Sequence, residues 1–198
     1  MFPLFETIRI ENGTMQNLKW HFWRLEHTFQ SIYSIKCPFI LENIIVPREY
    51  RIGLVKLRLM YDQSDYECDF STYETKKIDT LKIVLGDSLS YDFKFTNRDK
   101  ILSLHKQKQK MDDILIVKDA YITDTSIANI AFFDGSKWIT PENPILKGTT
   151  RERLINEGKI QTANIKPQQL KDFQSFKIFN AMIDFDNQNP KPISKFIS

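Results

Sequence analysis

Apolar and polar residues alternate through Phe5-Glu6-Thr7-Ile8-Arg9-Ile10-Glu11, and this period of two predicts a strand. Asn12-Gly13 follows, a pair suited to a two-residue hairpin turn because both central positions want positive φ. Beyond Asn17 the period changes. Leu18, Phe22, Leu25, Phe29 and Ile32 are spaced 4, 3, 4 and 3 apart, which predicts a helix with one apolar stripe. Trp20, His21 and Arg24 fall on the polar border of that stripe. Gly53 to Asp62 again alternates, with Val55, Leu57 and Leu59 on one face and Lys56, Arg58 and Met60 on the other. From Gln63 to Asp79 the chain is polar and almost lacks aliphatic residues, so a hairpin end and a domain boundary are expected there.

The second half opens on an apolar run, Leu81 to Leu85. Tyr91, Phe93 and Phe95 then alternate with Asp92, Lys94 and Thr96, predicting a strand whose aromatics share one face and whose polar residues share the other. Arg98 to Met111 reads as a helix capped by Thr96 or Asn97. Asp113 to Asp119 is a continuous apolar run of the kind found in a buried strand, and further strands are expected at Tyr121–Asp124 and Ile127–Phe133. Asp134-Gly135 predicts a hairpin turn that returns through Lys137–Thr140. A helix is expected to start near Thr149 and stop at Gly158, followed by a strand near Lys159, a short helical piece at Pro167–Asp172 and a last strand from Ser175. Hairpins in both halves with interspersed helices indicate α+β rather than a doubly wound parallel sheet. Two small domains are expected, 1–79 and 80–198.

Composition narrows the function classes. The chain has 198 residues, 41% of them apolar, with 15 Phe and 7 Tyr as large core pieces. Its 28 basic and 25 acidic residues leave a net charge of +3, too balanced to indicate nucleic acid without a clustered basic face. The cationic stretch His105 to Lys110 runs straight into Asp112 and Asp113 and reads as a solvated helix face. Cys37 and Cys68 form no disulfide framework and lack metal spacing, and the histidines His21, His27 and His105 lack zinc spacing. No metal is expected. The first residues carry no basic, long apolar leader, and no apolar run reaches the length of a membrane span, so a cytoplasmic protein with no membrane and no nucleic-acid partner is expected. With six glycines, none in phosphate-loop spacing, and no GxSxG elbow, lysine, carboxylate and arginine remain as the available chemistry.

Four segments, FETIRIENG…HFWRLEHTF, KFTNRDKI, ITDTSIANIAF and LKGTTRERLI, occur in the order and approximate spacing of the class-IV aminotransferases. The chain therefore resembles the fold-type-IV pyridoxal-phosphate enzymes, a family that includes branched-chain and D-amino-acid aminotransferases and 4-amino-4-deoxychorismate lyases. The order Lys94-Phe95-Thr96-Asn97-Arg98 is most similar to the lyases and their short bacterial relatives. The resemblance implies a D-amino-acid-aminotransferase-like fold shortened at its N-terminus, pyridoxal 5′-phosphate as cofactor, a small amino substrate and a homodimer.

It also implies a division of labour. Lys94 would condense with the cofactor aldehyde and then serve as general acid–base, which requires desolvation or a nearby cation to bring it down from the usual lysine value of about 10.4. Asp124 would pair with the pyridine nitrogen, where most of the family carries Glu. Arg24 would grip the cofactor phosphate through its planar fork of donors, with Thr149 and Thr150 completing the cup at a helix start. Thr125, Ser126 and Asn129 would line the ring and order the turn. Arg58 and Lys56 are candidates to meet a substrate carboxylate. A lyase is the leading reading, an aminotransferase the alternative within enzymes, and a non-catalytic cofactor-binding protein the alternative outside them. Two further departures, a chain that begins at the first motif and a short stretch before Lys94 without a Gly-rich loop, touch the substrate side more than the cofactor side.

Overall fold

The computed structural model describes residues 2–197, which divide into two compact units. Unit 1 runs to Thr75 and takes in the later segment Phe93–Asn97. Unit 2 runs from Lys76 to Asp92 and from Arg98 onward.

Unit 1 is an antiparallel sheet in the order β2-β1-β3-β4, with β1 at Leu4–Glu11, β2 at Thr14–Met15, β3 at Leu54–Tyr61 and β4 at Tyr66–Thr72. The Asn12-Gly13 turn forms as its chemistry dictates, with φ of 48° and 80° and Glu11 opposite Thr14. Val55, Leu57 and Leu59 all face the core, so the alternation of β3 sets its buried face. β4, which the polar composition concealed, pairs with β3 from Tyr61–Tyr66 to Val55–Thr72 as a largely exposed edge.

Helix α1, Leu18–Thr28, continues into a π-helical turn at Phe29–Tyr33. Its buried face keeps only part of the predicted stripe. His21, Arg24, Leu25, Thr28 and Phe29 are buried, whereas Phe22 and Ile32 are exposed. Three polar residues are thus buried where Phe22 and Ile32 are not, and for His21 and Arg24 the reason is Glu6, which β1 carries into the core and which needs partners there.

The expected strand at Tyr91–Thr96 does not form. Only an isolated bridge, Leu4 to Phe95, is made. The Phe95 N–H donates to the Phe93 carbonyl at 2.8 Å, an i to i+2 turn with Lys94 at its apex. The segment is tied to the start of β1 by Phe5 N–H to Lys94 O (3.0 Å) and Thr96 N–H to Pro3 O (2.8 Å). The Phe93 ring lies over His27 of α1, with centroids 5.9 Å apart.

Unit 2 contains two sheets. One has the order β13-β5-β6-β7, with β5 at Leu81–Leu85, β6 at Asp113–Lys118, β7 at Tyr121–Thr125 and β13 at Phe196–Ile197. Here β5 and β6 are parallel, and β6 is buried along its length as its apolar run requires. The other has the order β10-β9-β8-β11-β12, with β8 at Asn129–Phe133, β9 at Trp138–Pro141, β10 at Ile160–Ala163, β11 at Ser175–Phe179 and β12 at Lys191–Pro192. Predominantly antiparallel pairing with scattered helices makes the fold α+β, as expected of the sequence.

Helix α2, Asp99–His105, is shorter than predicted and passes into a 3-10 turn at Lys106–Lys108 before Gln109 takes a positive φ of 54°. Its N-cap residue is Arg98, with no side-chain cap bond, and Thr96 Oγ1 donates to the Phe2 and Pro3 carbonyls. Helix α3, Thr149–Asn156, starts at the predicted residue, and Gly158 ends it with a φ of 68°. Among the described residues no helix is long and apolar enough to cross a membrane, and no His, Cys, Asp and Glu cluster has metal-binding geometry.

Candidate active site

In unit 1 the site residues gather around β1. Glu6 is fully buried, and α1 brings two donors to it. Arg24 Nε donates to Glu6 Oε1 at 2.7 Å and Nη2 to Oε2 at 2.5 Å, while His21 Nδ1 lies 2.7 Å from Oε2. Burial alone would raise the Glu6 carboxyl, but the Arg24 charge and the hydrogen bonds from His21 and Arg24 overcome it and hold Glu6 at about 2. Desolvation lowers His21 against the pull of Glu6. The imidazole is therefore neutral, and because an ionised carboxylate only accepts, its proton sits on Nδ1. The result is one ion pair, Glu6 with Arg24, steadied by a neutral histidine. Arg24, a predicted phosphate ligand, is 7% exposed, and the edge facing Glu6 is fixed in plane by that carboxylate.

Lys94 shares this neighbourhood, since its charge also weighs on His21. Its Nζ lies 4.6 Å from the centroid of the Phe5 ring, and the Arg58 guanidinium lies 4.1 Å from the same centroid. Two cations therefore rest on one aromatic ring at the residue preceding Glu6. The sequence pointed to Lys94, Arg24 and Arg58. It did not point to Glu6 or His21, whose only signal was an acid inside an otherwise well-buried strand.

In unit 2, β7 and the loop before α3 build a second cluster. Asp124 is 5% exposed. Its Oδ1 accepts from Asn129 Nδ2 at 2.8 Å and its Oδ2 from the Leu146 N–H at 3.0 Å. Desolvation raises its carboxyl to about 6, against the lowering effect of those bonds and of the Arg151 charge. Thr125 closes the β7–β8 turn: its Oγ1 accepts from Ala128 N–H at 3.0 Å and donates to Ala128 O at 3.1 Å. Ser126 is buried, and its carbonyl accepts from Arg98 Nη2 at 2.5 Å. Thr149 and Thr150 are buried in the first turn of α3, and the N-cap residue Gly148 has no side chain with which to cap it.

Within each unit the residues present have chemistry suited to a part of pyridoxal 5′-phosphate. A buried carboxyl raised by desolvation gains from a cationic partner such as a protonated ring nitrogen. A helix start without a side-chain cap leaves first-turn N–H groups for an anion. Arg24 offers a guanidinium oriented in advance.

Known proteins share this chain's sequence and fold. Residues 3–185 match the family described as amino-transferase class IV. A protein of Haemophilus influenzae whose function is uncharacterised is 36% identical over 185 residues, spanning 92% of this chain and 98% of its own. A solved structure from Haemophilus somnus, provisionally named a 4-amino-4-deoxychorismate lyase, is 35% identical with a TM-score of 0.86, covering 93% of this chain and 98% of that one. A hypothetical aminotransferase from Mycobacterium tuberculosis in its PLP-bound form shares the fold, with a TM-score of 0.70 at 16% identity over 98% of this chain and 81% of that one.

Proposed function

The chain belongs to the amino-transferase class IV family, and we propose that within it the protein is a lyase resembling 4-amino-4-deoxychorismate lyase, eliminating pyruvate to leave 4-aminobenzoate. Membership makes it a PLP-dependent enzyme of the lyase and aminotransferase group. The observation that carries the lyase reading is the likeness, over nearly the full length of both chains, to the Haemophilus somnus protein of that provisional name.

Bound pyridoxal 5′-phosphate supplies an electron sink for negative charge at the substrate Cα. The chain's own residues do the rest. Lys94, positioned by the turn at Phe93–Phe95, would provide the amine that holds the cofactor and would move the proton at the substrate Cα. Asp124 would keep a proton on the pyridine nitrogen. Arg24, held by Glu6, would offer unit 1's guanidinium to an anionic group, and in unit 2 the first turn of α3 at Thr149 and Thr150 would offer its N–H groups to a phosphate. Arg58 meets a substrate carboxylate. The family's usual homodimer and a place in making the folate precursor 4-aminobenzoate belong to the same reading.

The test is turnover with aminodeoxychorismate beside a panel of L- and D-amino acids with 2-oxoglutarate. The lyase reading expects pyruvate and 4-aminobenzoate and no new keto acid from the panel. Brisk transamination without pyruvate release would replace it with the aminotransferase reading. Borohydride reduction followed by peptide mapping should place the cofactor on Lys94; a protein that takes up no cofactor would remove the enzymatic assignment of these residues.

A further inference from the structure

Asn129 occupies an unusual position. Its amide Nδ2 donates both to Asp124 Oδ1 (2.8 Å) and to the Leu146 carbonyl (3.0 Å), so one side chain joins the β7 acid to the loop that leads into α3. Its Oδ1 lies where no other residue than glycine leaves space. A Cβ built on Gly148 would sit 1.9 Å from Asn129 Oδ1 and 3.1 Å from its Cγ. The backbone of Gly148 is in an ordinary extended conformation, with φ −73° and ψ 141°, so the requirement for glycine is steric and not dihedral. The Asn129 side chain cannot swing aside cheaply, because any rotation that relieves the clash breaks its bonds to Asp124 and Leu146. The second Asp124 oxygen is held by the Leu146 N–H, from the same loop.

We propose that Asn129 and Gly148 form a positioning pair that fixes the Asp124 carboxylate relative to the start of α3, so that the acid for the pyridine nitrogen and the helix start for the phosphate are set as one piece. This rests on the cofactor reading given above. It assigns Asn129 a role through Asp124 rather than a contact with the ring. Gly148 is thereby the residue that gives the amide its place. The direction of the Asp124 shift agrees: the Asn129 bond pulls the carboxyl down against desolvation, so losing that bond leaves it higher still.

A double-mutant cycle tests the pair. Asn129→Ala and Gly148→Ala are each expected to weaken binding of pyridoxal 5′-phosphate roughly ten- to a hundredfold, the size of one lost hydrogen bond to a charged group. Their combination should be no worse than Asn129→Ala alone, because the Cβ then enters space the amide has vacated. Inorganic phosphate, titrated separately, should compete with the cofactor equally well in wild type and Asn129→Ala, since the helix start itself is intact. A fully additive double mutant, or an Asn129→Ala protein with wild-type cofactor affinity, overturns the pairing. A second readout does not need the cofactor. Carboxyl NMR of the cofactor-free protein should show Asp124 titrating higher in Asn129→Ala than in wild type, and an unchanged titration overturns the proposal. If wild type binds no pyridoxal 5′-phosphate, the cofactor reading fails on its own, and the NMR titration still decides whether Asn129 holds Asp124.

Discussion

Glu6 and Arg24, 18 residues apart in sequence, meet as a two-pronged ion pair in the core of unit 1, with His21 as a third, neutral partner. The pair explains why α1 buries polar residues in place of Phe22 and Ile32. A carboxylate without exposure must be answered by a charge and by hydrogen bonds, and α1 rotates its Arg24 edge inward to supply both.

Removing the acid while keeping its partner should be costly. Glu6→Gln leaves the Arg24 guanidinium buried without its counter-charge, and a loss of about 3–5 kcal/mol of stability is expected. Urea denaturation measures it. Combining Glu6→Gln with Arg24→Met should recover much of that loss, since no lone charge remains; a single variant as stable as wild type would show that the pair is not the anchor of α1.

Stability of the cofactor-free protein should carry opposing pH dependences. Glu6 is lowered from 4.5 to about 2, so its contribution is complete above pH 4.5 and disappears as pH falls toward 2. Asp124 is raised from 3.8 to about 6, so the folded protein binds a proton there before the unfolded chain does. Its protonation therefore stabilises the fold as pH falls from about 6 to about 4. His21, lowered from 6.5, works the other way and favours the fold above that value. Asp124→Asn should lose the Asp124 gain, making stability fall more steeply with acidification across the pH 6 to 4 window. Thermal melts of both proteins across that window check it, and parallel profiles would mean Asp124 is not raised.

Lengthening the acid should fail despite restoring the family's usual glutamate. Both Asp124 oxygens are already seated, on Asn129 and on Leu146. Asp124→Glu pushes one more methylene into that frame, at a cost of about 1–3 kcal/mol. Weaker cofactor binding and a lower melting temperature are the expected results. Binding tighter than wild type would show that the short acid is a defect and not a fitted part.

The amine at position 94 should be separable from the fold. Lys94→Ala is expected to lower turnover by about 10²–10⁴-fold, the usual worth of a positioned acid–base group, with little change in melting temperature, because Lys94 is attached to β1 through its backbone carbonyl. Phe5→Leu removes the ring shared by Lys94 and Arg58 and should cost about 0.5–2 kcal/mol. Circular dichroism and steady-state kinetics on the two variants distinguish chemistry from packing.

Much of this architecture follows from local pattern. Asn12-Gly13, the alternation of β3, the apolar run of β6 and the Gly148-Thr149 start of α3 each state their structure within a few residues. The family motifs pointed to Lys94, Arg24, Asp124 and the α3 threonines by order alone. What local pattern missed depends on distant partners. The periodicity of α1 pointed to Phe22, because nothing near it records that Glu6 would be buried and need Arg24 and His21. The aromatics around Lys94 alternate as a strand does, yet the segment has only β1 to pair with and turns back at Lys94. β4 is polar because its edge faces solvent, which removes the apolar signal by which strands are read.

The return of Phe93–Asn97 to unit 1 also orders events in folding. Its attachment points, Pro3 and Phe5, lie at the far end of a long loop of chain, and closing such a loop costs entropy that grows with its length. Local hairpins such as β1–β2 can assemble before it, and Lys94 reaches its final setting only when that loop has closed. Acquisition of the cofactor's colour during refolding should therefore trail the appearance of sheet signal, making the enzyme's own reactivity a clock for the last stage of its maturation.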